Sequence, residues 1–182
     1  MGDLSIDVIE HHWLANIDPS TDLCSHGRVR VRVEGRPVVR PEDGEYTLSA
    51  AALYLLRTLE RDHNREAQVG DHLLPCCGHG LYDDGGGEVG IIGCPNGVDW
   101  SVTHEKGAVR LSDVRRYGQE EGGRLDTVVP IALYRRVVVG FARTVWELFE
   151  GAEKHIVDAE DRRGYAVFCA EYHRRLSSAS QG

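Results

Sequence analysis

The sequence predicts an α+β fold, in which a mostly antiparallel sheet of roughly five to seven strands carries about three helices on one face. Three observations predict it. Arg28 to Val33 alternates arginine with valine, so Val29, Val31 and Val33 fall on one side of a strand. Further short apolar runs follow, separated by glycine-rich turns. Near the end, Tyr134, Val138, Phe141, Val145 and Leu148 recur at the spacing of one helix face.

Taken in chain order, Leu4 to Val8 reads as a first strand, with Leu4, Ile6 and Val8 on one face. Arg28 to Val33 is the best strand, and Glu34-Gly35-Arg36 turns it into another at Pro37 to Val39. A first helix is expected from Ala50 to Arg61, with Ser49 as its N-cap and Ala52, Leu55, Leu56 and Leu59 as its apolar stripe. The middle reads as an antiparallel meander of Leu73-Leu74, Val89 to Ile92, Val98 to His104 and Ala108 to Val114. Its turns are Asp83 to Gly87, Pro95-Asn96-Gly97 and Lys106-Gly107. Period two puts Val98, Trp100, Val102 and His104 on one face, the first three in the core and His104 at the rim. After a polar loop at Gln119 to Gly123, Pro130 suits the first turn of a second helix, Ile131 to Glu150, closed by Gly151. A third helix is expected from Ala159 to Leu176, with Tyr165, Phe168, Tyr172 and Leu176 on its apolar face.

The length of 182 residues suits one domain with a full core, and no repeat or linker divides it. The expected organisation is a single α+β domain at 1–176 and a flexible polar tail at 177–182. Hydrophobic residues at 41% and charged residues at 27% are globular values, which exclude general disorder. No run approaches the roughly 20 apolar residues of a membrane helix. Met1 to Asp7 has neither the basic nor the apolar region of a signal peptide. Five cysteines, an odd number, suit reduced thiols better than a disulfide framework, so the expected location is the cytoplasm. A net charge of −8 argues against a nucleic-acid partner and permits a basic protein partner.

The chemistry-bearing residues concentrate in Pro75-Cys76-Cys77-Gly78-His79-Gly80, in Gly93-Cys94-Pro95-Asn96-Gly97 and at His104. Thiolates and imidazoles are zinc ligands, and a tetrahedral site needs four. Cys77, His79, Cys94 and His104 are the candidate set if the meander strands are neighbours. Cys76 and Cys77 point to opposite faces of a strand and do not easily share a metal. A C-x-x-C pair is missing, and the plainer reading is small buried residues at glycine turns. The same region offers a second possibility, a nucleophilic thiol with His79 or His104 as base.

Other features carry less. Asp83-Asp84-Gly85-Gly86-Gly87 lacks the alternating ligands of a calcium loop and the lysine of a phosphate loop, so it reads as a hairpin tip. His11-His12 diverge if extended and read as an edge. Glu147, Glu150, Glu153, Asp158, Glu160 and Asp161 crowd one helix–helix corner. Such a corner is either a solvated surface or a docking patch for a basic partner.

Four stretches stand out together: Cys24-Ser25-His26-Gly27 before the alternating strand, Leu48 to His63, Gly93-Cys94-Pro95-Asn96-Gly97-Val98-Asp99-Trp100, and Gly164-Tyr165 through Phe168 to Glu171-Tyr172. In this order they resemble uncharacterised bacterial proteins of immunity-protein type, which are encoded near polymorphic toxins. The resemblance spans most of the chain and holds no catalytic signature. It implies a protein that binds and blocks a cognate toxin in the cytoplasm, and an acidic binder suits a basic toxin domain. The expectation is therefore a non-enzymatic binding protein without a cofactor. Its rival is a small zinc- or thiol-dependent enzyme built on Cys76 to His104.

Overall fold

The computed structural model describes residues 2–78, 80–116 and 125–181. Its first strand β1 is Leu4–His12 and its second, β2, is His26–Val33. These pair antiparallel, with Leu4 opposite Val33 and Ile6 opposite Val31. The β2 valines are buried, as alternation requires. β3 (Arg36–Val39) returns along β2 through Glu34-Gly35, both at positive φ (52° and 71°). That backbone matches a type I′ hairpin turn. β4 (Tyr46–Thr47) joins the other end of β2 and completes a four-stranded sheet.

A second sheet has the order β10-β9-β8-β5, made by β5 (Leu74–Pro75), β8 (Gly97–Glu105), β9 (Ala108–Arg116) and β10 (Asp126–Pro130). β6 (Gly80–Asp83) and β7 (Val89–Ile92) stand apart as a two-stranded ribbon, with Asp84 to Glu88 as its tip. The α+β class holds, but the strands divide into two sheets and a ribbon instead of one sheet of five to seven. Val89 to Ile92 pairs with β6, so it interrupts the expected meander. Trp100 and Val102 are buried and His104 is half-buried. A bulge between Asp99 and Ser101 breaks the strict alternation of β8. Asp99 and Ser101 are buried too, because the segment before β5 covers their face and His63 pairs with Val102 through two backbone bonds.

Helix α1 (Leu48–Arg57) begins at Thr47, two residues before the expected cap. Ser49 lies inside the helix, and its hydroxyl accepts the Ser25 N–H at 3.1 Å. Every residue of α1 is buried, so the expected single stripe does not describe it. A helix apolar all round belongs in the interior. It packs against α2 (Ile131–Glu147), α3 (Ala159–Gln181), β2, β4 and β5. The helices therefore do not form one layer on one face of a sheet. α1 is central, α2 also covers β1, β9 and β10, and α3 lies on the β6–β7 ribbon.

α2 buries Tyr134, Val138, Phe141 and Val145, with Leu148 half-buried just past its end. The Tyr134 hydroxyl meets the Thr58 hydroxyl at 2.7 Å, which satisfies both in the core. α3 comes so close to β6 that a Cβ on Gly164 would lie 2.1 Å from the Leu81 carbonyl oxygen. Residues 177–181, expected as a tail, continue α3, and Arg143 of α2 donates to the Ser180 hydroxyl at 2.9 Å. No helix among the described residues is long and apolar enough to cross a membrane.

Candidate functional site

The expected metal set is only partly assembled. β5 ends at Pro75 and β8 begins at Gly97, and these two residues pair. Beyond them the Cys76 N–H donates to the Asn96 carbonyl at 2.9 Å, extending the zipper into both turns. A Cβ on Gly93 would sit 2.1 Å from the Cys77 carbonyl oxygen, so glycine permits the approach that sets Cys94 on Cys77. The Cys94 N–H reaches Cys77 Sγ at 2.9 Å. Cys76 is exposed, while Cys77 and Cys94 are half-buried.

His104 does not join them. It lies near the far end of β8, seven residues beyond Gly97 and so about 23 Å away at a rise of about 3.3 Å per residue. There its backbone N–H and Nδ1 both engage Asp62 Oδ1, at 2.8 and 2.7 Å. His79 lies outside the described residues. Cys77 and Cys94 are thus together, and His104 is excluded from a shared site by the extension of its own strand.

The thiols differ in acidity. The Cys94 thiol is held below its ordinary value by hydrogen bonds from Cys77, from the Asn96 N–H and from Cys76. Burial, and the neighbouring Cys94, push Cys76 and Cys77 up. The hydrogen bonds that gather on Cys94 therefore favour its thiolate over those of its two neighbours. Elsewhere burial pushes the Cys24 thiol up to about 12, and burial also raises Cys169. Cys76 lines a cleft of 340 Å³ together with Tyr46, Asn96, Gly97 and Arg116.

Among the described residues, one trio of ligand atoms lies within 4.8 Å of one another: Glu10, His12 and Glu45. Arg28 already pairs with both carboxylates, with Nε 3.2 Å from Glu10 and Nη2 3.3 Å from Glu45. His11, beside it, is pushed down to about 4 by burial and then by His12 and His26, so it is neutral at pH 7.

Sequence reasoning missed two buried polar networks. His63 is fully buried. Its Nδ1 accepts the Val69 N–H at 3.0 Å, so Nε2 carries the hydrogen and donates to Asp99 at 2.8 Å. Burial raises the Asp99 carboxyl, but His63 and Arg115 outweigh it and hold the group below its ordinary value. Both ring nitrogens are engaged away from solvent, so the pair fastens the covering segment to β8. In the second network Arg57 of α1 clasps Glu171 of α3 with two bonds of 2.8 Å, and Arg175 adds another at 2.7 Å. The one local signal was an arginine inside an otherwise apolar helix.

The acidic corner is built as expected in exposure. Glu147, Glu150, Glu153, Asp158 and Glu160 are exposed and Asp161 is half-buried. Asp158 caps α3 by accepting the N–H groups of Glu160 and Asp161 at 2.8 and 3.0 Å, and these bonds lower its carboxyl. None of the six forms an ion pair among the described residues. Two cations of the same segment, Lys154 and Arg162, turn to backbone. Lys154 donates to the Pro19 and Asp22 carbonyls at 2.7 and 2.6 Å, with its ammonium 3.3 Å from the Trp13 ring centroid. Arg162 donates to the Ile156 and Val157 carbonyls. Glu160 also lines a groove of 370 Å³ with Tyr82, Asp83, Asp84, Gly85 and Arg163. No family model, curated protein or solved structure matches the chain.

Proposed function

We propose that the chain is a non-enzymatic binding protein that docks a basic protein partner on the acidic corner between α2 and α3. The observation that carries this reading is a cluster of exposed carboxylates without ion pairs among the described residues. Glu147, Glu150, Glu153 and Glu160 face solvent without ion pairs among the described residues, while Lys154 and Arg162 beside them are tied to carbonyls. Such an arrangement keeps a negative field at the surface, which steers a cationic surface into contact. Val157, 80% exposed in the middle of this segment, supplies an apolar contact. Tyr82, 48% exposed, lines a groove at this corner with Asp83, Asp84, Glu160 and Arg163, where three carboxylates stand against one guanidinium. The motif order that resembles immunity-type proteins sharpens the proposal to inhibition of a cognate toxin in the same cell.

The test is co-expression with the proteins encoded beside its gene, followed by titration calorimetry of any complex at low and high salt. A basic partner should bind, and its affinity should fall with salt. Replacing Glu147, Glu150, Glu153 and Glu160 by glutamine should weaken binding by at least about tenfold, chiefly through association rate. A complex indifferent to the four substitutions would place the interface elsewhere, and the absence of any basic partner would refute the reading.

A further inference from the structure

The three thiols at the junction of β5 and β8 lie outside this docking surface. We propose that Cys94, Cys77 and Cys76 form a thiol–disulfide exchange site for low-molecular-weight disulfides, in which Cys94 attacks and Cys77 resolves. The geometry is specific. Cys77 Sγ lies 2.9 Å from the Cys94 backbone nitrogen, so the two residues are in direct contact, which a disulfide between them requires. The Gly93 contact and the Cys76–Asn96 bond hold the two turns together, so this approach is set by backbone. Of the three thiols, the exposed Cys76 lines the neighbouring 340 Å³ cleft. Three thiols at one junction also suggest a soft metal, but a three-thiolate site needs all of them mutually close. Among the described residues that condition is met only by the Glu10, His12 and Glu45 atoms.

The exchange balances in two steps. The Cys94 thiolate attacks one sulfur of R–S–S–R, the S–S bond breaks, and the leaving thiolate takes a proton from solvent as R–SH. Cys94 is now a mixed disulfide. Cys77 gives its proton to solvent and attacks Cys94 Sγ, and the second R–S⁻ leaves and is protonated. Two protein thiols are oxidised to one disulfide, and one small disulfide is reduced to two thiols. Cys94 suits the attacking role because its neighbours favour its thiolate, and Cys77 suits the resolving role because its sulfur already faces Cys94.

The experiment uses oxidised glutathione on the reduced full-length chain, read by intact mass and peptide mapping. The expected product is a monomer about 2 Da lighter, without an adduct, its disulfide joining Cys94 to Cys77. Cys94 should react at least about tenfold faster than Cys169, whose thiol burial protects. With Cys76 and Cys77 both replaced by serine, a glutathione adduct should persist on Cys94. Circular dichroism and the urea midpoint establish that this variant is folded, and if it is not, the rates in the unmodified chain still decide. First attack at Cys76, a Cys94 no faster than Cys169, or a product that is only an intermolecular dimer would each overturn the proposal.

Discussion

Glu171→Ala should be among the most destabilising single substitutions in the chain. The carboxylate is fully buried and accepts four bonds of 2.7–2.8 Å: two from Arg57, one from Arg175 and one from the Val89 N–H. These come from α1, α3 and β7, so one side chain joins three elements. Removing it strands cations of unequal need. Arg175 retains Glu60 and Glu88, but Arg57 keeps chiefly the carbonyls of Val69 and Val89. Breaking a buried pair by removing one partner costs about 3–5 kcal/mol. The orphaned Val89 N–H, itself worth about 1–3 kcal/mol, moves the expectation to the upper part of that range. A typical domain has a margin of about 5–15 kcal/mol, so most of it could be lost. Urea unfolding should show a lower midpoint at unchanged slope. Arg57→Ala should cost a similar amount, and the double variant should cost less than the two singles together by at least about 1.5 kcal/mol. A cost for Glu171→Ala under about 1.5 kcal/mol, or strict additivity, would show that the network is not the clamp described.

The remaining predictions concern neighbouring features. Acid stability should depend on the same carboxylate: Arg57 and the other donors, opposing burial, hold Glu171 below its ordinary value of 4.5. Its contribution is present above that pH and is lost as pH falls through the lower folded value, so Glu171→Gln should flatten the fall in stability below about pH 4.5. Phe141→Ala should cost about 3–5 kcal/mol by lost burial and a cavity, against under about 0.5 kcal/mol for exposed Arg143→Ala, both read by urea unfolding. Equal costs would mean that α2 packs by another face. Gly164→Ala should destabilise by more than the roughly 1 kcal/mol that alanine contributes to helix propensity, because its Cβ meets the Leu81 carbonyl. Amide exchange at Leu81 to Asp83 should rise, and unchanged protection there would place α3 off the ribbon.

What the sequence determined by itself is what repeats at short range. The valines of β2 and the face of α2 are legible because a period of two or 3.6 residues sorts side chains before any partner is known. The Glu34-Gly35 and Lys106-Gly107 turns are legible because few residues accept their backbone. Cys77 and Cys94 also stood out, two thiols set among glycines. What only the tertiary structure decided depends on which segments meet. Period does not say which strand a strand pairs with, so Val89 to Ile92 joined the ribbon and not the second sheet. The apolar positions of α1 read as one stripe until α2, α3 and β2 closed around it. His104 was grouped with the thiols on the condition that the meander strands be neighbours, and the pairing of β5 with the start of β8 leaves it at the other end of that strand. Arg57 and Glu171 lie 114 residues apart, and nothing near either one names the other. Burying either alone costs several kcal/mol, so their pairing is set by the packing of α1 against α3, which no local pattern encodes.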